Sequence, residues 1–165
     1  IVAGRNVVDV ATGSGLVAIA AARAGASSVN AYDVDELAVS AVRINARLNR
    51  VRIDAQRADV REITVPLGTI VTAGDVFYDR EITEAMVCGL GALRSTGAEI
   101  LVGDPHRSFL PLDRLEPLAS YDVEVEDDLE SAPFKTTVVA RLLGSPGVCS
   151  PPGPGAARSS APDMI

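Results

Sequence analysis

Val7-Val8-Asp9-Val10-Ala11-Thr12-Gly13-Ser14-Gly15 is an apolar run that takes in one carboxylate, breaks into a glycine turn and passes into the alanine-rich stretch 16–22. An apolar run closed by such a turn predicts a buried strand, and the small apolar residues after it predict a helix. Strand, turn and helix in succession bring backbone N–H groups and the positive end of a helix to the carboxyl edge of a parallel sheet. That edge is where α/β proteins hold nucleotides and nucleoside cofactors.

Working outward, Ser14 or Gly13 is expected to cap a helix running to about Arg23, and Gly25 to end it. Residues 28–33 form a second strand. Asp35 fits the N-cap of the next helix, in which Leu37, Ala41, Ile44 and Leu48 recur at helical spacing and predict one buried stripe, with Arg43, Arg47 and Arg50 on the solvent side. Strands are expected at 51–57 and 68–73, and a helix over 80–93 with Ile82, Met86, Leu90 and Leu93 on its inner face. Glu81, Glu84 and Arg94 complement that helix's dipole. A strand over 98–103 closes at Asp104-Pro105, a short helix follows at 112–118, and strands at 121–126 and 136–143 flank an acidic connection. Alternating strands and helices require parallel pairing with right-handed crossovers. The expected fold is α/β: a doubly wound, mostly parallel Rossmann-like sheet with helices on both faces and an antiparallel C-terminal edge.

Length and composition agree with one domain. The chain has 165 residues, 47% of them hydrophobic, enough to bury a core without staples. Residues 1–143 make up the expected cofactor-binding domain. Residues 144–165, dominated by Pro, Gly, Ser and Ala, are expected to be a disordered tail. A net charge of −7 works against nucleic acid as a partner. No apolar run is long enough to cross a bilayer and no secretory signal is present, so no membrane partner and a cytoplasmic location are expected. Cys88 and Cys149 lack metal-ligand spacing and read as unligated thiols, with no metal expected. Lys135 is the only lysine, an arginine bias that points to a GC-rich bacterial genome.

A dinucleotide fold shows GxGxxG after its first strand. Here the pattern is Asp9-x-Ala11-x-Gly13-x-Gly15, and an acid in the turn repels a diphosphate. The pattern favours a cofactor with no phosphate and a cationic portion, a description that S-adenosylmethionine meets, and argues against an NAD-dependent oxidoreductase. Asp33, ending the second strand, is placed to accept both ribose hydroxyls, and Asp59, after the third, to accept from the adenine amino group. Taken singly, each of these carboxylates is an ordinary strand-end turn residue. Together, Asp9, Ala11, Gly13, Gly15, Asp33 and Asp59 make the expected cofactor set.

At this level the chain resembles the class I, seven-strand S-adenosylmethionine-dependent methyltransferases over residues 7–143. Gly74-Asp75-Val76-Phe77-Tyr78-Asp79 and Leu101-Val102-Gly103-Asp104-Pro105-His106-Arg107 are similar to segments of the lysine methyltransferases acting on the electron transfer flavoprotein β subunit. The wider lysine methyltransferase group carries Asp-x-x-Tyr after its fourth strand, matched by Asp75 and Tyr78. Ala11 stands where that fold usually has the first glycine of its turn, which a small side chain tolerates at negative φ. The family also has a segment before the first strand that helps close the pocket, so further chain is expected upstream of Ile1.

The resemblance implies methyl transfer to a lysine of a protein partner, the electron transfer flavoprotein β subunit being the expected kind. A lysine nucleophile must arrive neutral, and a carboxylate such as Asp75 can orient the amine and stabilise the charge that builds on nitrogen. Tyr78 can add a hydroxyl contact and a pocket wall. These two are the expected catalytic pair. Phe77 fits core or pocket equally, His106 reads as a structural or solvent-exposed loop residue, and Arg107 as a solvated arginine by default, with contact to an acidic group as the alternative. The acidic segment Asp122, Glu124, Glu126, Asp127, Asp128 and Glu130 reads as a solvated edge that also attracts a basic substrate. Two alternatives remain: a methyltransferase for a small molecule or a ribosomal protein, and a cofactor-binding module without catalysis.

Overall fold

The computed structural model describes residues 1–124 and 134–144. The elements run β1 (Asn6–Val10), α1 (Leu16–Arg23), β2 (Ser28–Asp33), α2 (Glu36–Leu48), β3 (Asp54–Arg57), β4 (Ile70–Gly74), α3 (Arg80–Ser95), β5 (Glu99–Asp104), a 3₁₀ turn (Leu112–Arg114), β6 (Leu115–Glu124) and β7 (Phe134–Leu142). All seven strands share one sheet in the order β3-β2-β1-β4-β5-β7-β6. Strands β1 to β5 pair in parallel, and β7 enters antiparallel between β5 and β6. The doubly wound sheet with an antiparallel C-terminal edge is therefore present as the alternation predicts. Its order reverses at β1 and β4, the crevice where such sheets hold ligands.

Side chains alternate across the strands and build a core on each face. Val7 and Ile70 point towards α1 and α2, meeting Ala18, Ala21, Val39 and Val42. Val8, Val10, Val71 and Ala73 point the other way, onto Met86, Leu90 and Leu93 of α3. The α3 stripe is thus buried at those three positions, and only Ile82 stays partly open, at 36% exposure.

Helix α1 starts at Gly15, whose φ of 85° and lack of a side-chain cap correct the expectation of Ser14 or Gly13. A Cβ on Gly15 would stand 3.1 Å from a Val42 methyl, so glycine lets α1 close onto α2. At the other end Gly25 N–H bonds the Ala22 carbonyl and Ala26 N–H the Ala21 carbonyl, the paired closure that a left-handed glycine permits.

Several expectations are corrected. Leu37, Ile44 and Leu48 are 78%, 57% and 76% exposed, and α2 instead buries Val39, Val42 and Ala46. Strand β3 starts at Asp54 rather than 51 because the preceding residues finish α2: Arg50 turns to φ 56° and Val51 N–H reaches back to the Ala46 carbonyl. No helix spans 112–118. After a single 3₁₀ turn the chain enters β6, where Leu115, Glu116 and Pro117 already pair with β7. Pro117 is tolerated because β6 is the sheet edge, and a register shift follows it. Cys88 is disulfide-bonded, not an unligated thiol. Cys149, the end of the strand expected at 121–126, most of the acidic connection and the tail from 145 onward lie outside the described residues.

Candidate active site

A cleft of about 350 Å³ opens at the carboxyl edge of the sheet around the β1/β4 reversal. Ala11, Gly13, Asp33 and Asp59 line it on the side of β1, β2 and β3, and Asp75 and Tyr78 line the wall that follows β4. Residues far apart in sequence therefore converge on one space of a size usual for small-molecule sites. A larger open groove of about 820 Å³ lies by the start of β2 and β3, lined by Arg43, Arg47, Arg50 and Arg52. It sits away from the carboxyl edge and holds none of the residues singled out by their chemistry.

Asp9 and Gly15 do not line the cleft. Asp9 is 1% exposed, and its carboxylate accepts from Thr12 Oγ1 at 2.6 Å and Thr72 Oγ1 at 2.7 Å. Burial pushes its carboxyl above the ordinary range, and the two hydroxyls only partly oppose that. Asp9 thus ties the turn to β4 and to the start of α1 from beneath, where the sequence reading placed it facing a cofactor. Ala11 differs as well: its φ is 50°, the left-handed region, where a negative φ was expected. Asp75 (φ 53°) and His106 (φ 61°) share that conformation, so strained residues follow β1, β4 and β5 at the same edge.

Asp33 ends β2 with its side chain across the turn. One oxygen accepts from Gly13 N–H at 2.9 Å and the other from Asp35 N–H at 3.0 Å. Each oxygen keeps a lone pair, so the carboxylate can still accept from two adjacent hydroxyls. Asp59 is more engaged. Arg61 forks it at 2.8 and 2.6 Å, and this bond is the main cause that holds its carboxyl below the usual range. Its Oδ2 retains a lone pair for an amino group. Val34 and Val60 supply apolar wall, and a Cβ built on Gly13 meets nothing within 4 Å. Two acceptors for hydroxyls, one for an amine, apolar walls for a flat base and open space over the glycine fit the nucleoside part of S-adenosylmethionine.

On the opposite wall Tyr78 is 57% exposed, whereas Phe77 is 1% exposed and belongs to the core. Asp75 is forked by Arg107, Nε to Oδ1 at 2.6 Å and Nη2 to Oδ2 at 2.8 Å. Arg107 in turn is set by Asp104, whose Oδ1 accepts the Arg107 N–H at 2.6 Å. Asp104 is fully buried, which pushes its carboxyl up, and its Oδ2 has no hydrogen-bond partner among the described residues. Sequence reasoning missed Thr12, Thr72 and Asp104, and it took Arg107 as solvated by default, with an acidic contact only as the alternative and without Asp75 as its partner. Thr72 sits opposite Asp9 in the β1/β4 register, and Asp75 N–H bonds the Gly103 carbonyl, so both partnerships depend on pairings that spacing along the chain does not reveal.

A sheet of order β3-β2-β1-β4-β5-β7-β6, with its cleft at the reversal, decides the architecture. The fold is that of the class I S-adenosylmethionine-dependent methyltransferases. Among solved structures with this methyltransferase fold, the magnesium protoporphyrin IX methyltransferase of Synechocystis, solved with bound S-adenosylhomocysteine, superposes with a TM-score of 0.61 at 16% identity, covering 86% of this chain and 75% of that one. The electron transfer flavoprotein β subunit lysine methyltransferase of Xenopus laevis is 37% identical over 129 residues, 74% of this chain and 52% of that protein. The ribosomal protein L11 methyltransferase (PrmA) family profile matches residues 1–73. A Bacillus cereus ribosomal protein L11 methyltransferase is 57% identical over 47 residues, 28% of this chain and 15% of that protein. The chain spans about half the length of the lysine methyltransferase it matches.

Proposed function

We propose that this chain is the cofactor-binding and catalytic part of an S-adenosylmethionine-dependent protein-lysine N-methyltransferase whose acceptor is like the electron transfer flavoprotein β subunit. The observation that carries the proposal is the convergence of Asp33 and Gly13 on one wall of the cleft with Asp75 and Tyr78 on the other. When bound, S-adenosylmethionine supplies the methyl group: the amine lone pair takes the methyl carbon, the C–S electron pair stays on sulfur, and the proton of the new ammonium passes to water. The chain supplies alignment. Asp33 holds the ribose hydroxyls, Asp59 the adenine amino group, and Ala11 and Gly13 form the floor of the cleft. Asp9 and Gly15 act indirectly, by fixing the turn and seating α1. Asp75 orients the acceptor amine, and Tyr78 adds a hydroxyl and closes the side of the acceptor channel.

A ribosomal-protein acceptor is the second reading, favoured by the family profile over residues 1–73. That match ends before Asp75 and so covers the cofactor half alone. The similarity to the lysine methyltransferase extends over 74% of the chain and supports the lysine reading. Among the described residues no helix is long and apolar enough to cross a membrane. A bacterial setting belongs to the same reading, on the arginine bias of the sequence.

The test is incubation of the full-length protein with methyl-labelled cofactor, purified electron transfer flavoprotein β subunit and, separately, ribosomal protein L11. Label on lysine of the first supports the proposal. Label only on the second replaces the acceptor, and S-adenosylhomocysteine binding without transfer to either reduces the chain to a binding module.

A further inference from the structure

The loops after β4 and β5 are stitched together above the sheet. Asp75 N–H bonds the Gly103 carbonyl at 2.8 Å, Phe109 N–H bonds the Phe77 carbonyl at 3.3 Å, and the Arg80 guanidinium lies 5.9 Å from the centre of the Phe109 ring. Across this seam Arg107 meets Asp75 with both oxygens engaged. Such a fork uses one lone pair of each oxygen and leaves the outer pairs free. The Asp75 side chain is 52% exposed and so still presents those outer pairs to the cleft. The backbone of Arg107 is anchored as well, its N–H donating to Oδ1 of the buried Asp104.

A bare carboxylate is a poor neighbour for an amine that must be neutral. An opposite charge within about 4–6 Å shifts a pKa by roughly 1–3 units towards the charged form, so it would keep a lysine acceptor protonated. Besides Asp75, the titratable groups around the cleft and the seam among the described residues are Asp33 and Asp59 on the cofactor side, Tyr78, Asp79 and Arg80 after β4, Asp104 at the end of β5, and His106 and Arg107 after it. Among the described residues, Arg107 is the one that hydrogen-bonds the Asp75 carboxylate.

We propose that Arg107 is a positioning residue that holds both oxygens of Asp75 and cancels the carboxylate's charge, so that Asp75 aligns the acceptor amine without trapping it as an ammonium ion. This role rests on the lysine methyltransferase reading above. It makes the Asp75–Arg107 pair, rather than Asp75 alone, the unit that receives the amine.

The experiment measures kcat and KM against pH for the full-length protein, its Arg107→Gln variant and its Arg107→Lys variant, with the electron transfer flavoprotein β subunit as acceptor. S-adenosylhomocysteine affinity and Tm are measured beside them to confirm folding. For Arg107→Gln the acidic limb of the kcat profile is expected to move about one unit alkaline, lowering kcat near pH 7 about tenfold, with KM for the acceptor unchanged or lower. Activity should recover towards wild type above the displaced limb. Arg107→Lys keeps the positive charge and should leave the limb at its wild-type position. A Gln variant whose profile overlays that of wild type, or whose loss is the same at every pH, makes Arg107 a structural clip and overturns the proposal. So does a Lys variant whose limb moves with the Gln variant's. No transfer by the wild-type protein removes the lysine reading and this role with it, whereas transfer with an unmoved profile removes only the role of Arg107.

Discussion

Ala11 holds a φ of 50° in the turn after β1, where a side chain costs about 1–2 kcal/mol relative to glycine. Ala11→Gly is therefore expected to raise stability, by up to about 1 kcal/mol after the added freedom of the unfolded chain is subtracted, as read by urea unfolding. Asp9 gives a prediction in pH. Its folded pKa is raised by burial, so between the ordinary carboxylate range and that raised value the folded state binds more protons than the unfolded one, and stability falls as pH rises through the interval. In Asp9→Asn this descending part should vanish from a plot of unfolding free energy against pH; an unchanged slope would show that another carboxylate causes it. Asp33→Ala should weaken S-adenosylhomocysteine binding about 10- to 100-fold, the range for lost hydrogen bonds to a charged group, measured by calorimetric titration. At this scale the sequence was informative about chemistry and silent about direction. Asp9, Asp33, Asp59 and Asp75 could be picked out as strand-end carboxylates, yet which of them face the cleft depends on strand alternation and on Thr12 and Thr72. Arg107 lies 32 residues from Asp75, and nothing local relates them until β4 and β5 pair.

Helix α2 shows why element assignments outlast burial assignments. It carries two apolar rows at helical spacing, Leu37, Ala41, Ile44 and Leu48 on one face and Val39, Val42 and Ala46 on the other. Larger side chains make the first row look like the core, but the short distance to α1 set by Gly15 favours the smaller row. Val42→Ala should cost about 2 kcal/mol, whereas Leu48→Gln should change stability by less than about 0.5 kcal/mol; equal losses would mean that the outer row is covered in solution. Likewise, 112–118 has the apolar spacing of a short helix, and pairing with β7 draws its second half into a strand. On α3, a Cβ on Gly89 would meet Val60 atoms at 2.6 and 2.8 Å and the Val60 backbone at 3.1 Å. Since Val60 is also a cleft wall, Gly89→Ala should both destabilise the fold, by about 1–3 kcal/mol, and loosen cofactor binding.

For the whole molecule the sheet order places the cleft where the crossovers diverge, and this much followed from the alternation of strands and helices in the sequence. A ligand that belongs there stabilises the fold by mass action, about 2.7 kcal/mol at a concentration 100 times its Kd. S-adenosylhomocysteine should therefore raise Tm in a concentration-dependent way and NAD should not; the reverse pattern would reject the cofactor assignment. The same order also has a temporal side. β6 leaves the ribosome before β7, yet its place in the sheet is reached only through β7, which pairs with β5 on one side and β6 on the other. Nascent β6 has no strand to pair with until β7 appears, and β5 gains its outer neighbour only then. The cleft edge of β5 thus completes late in synthesis, after the cofactor half has had time to form.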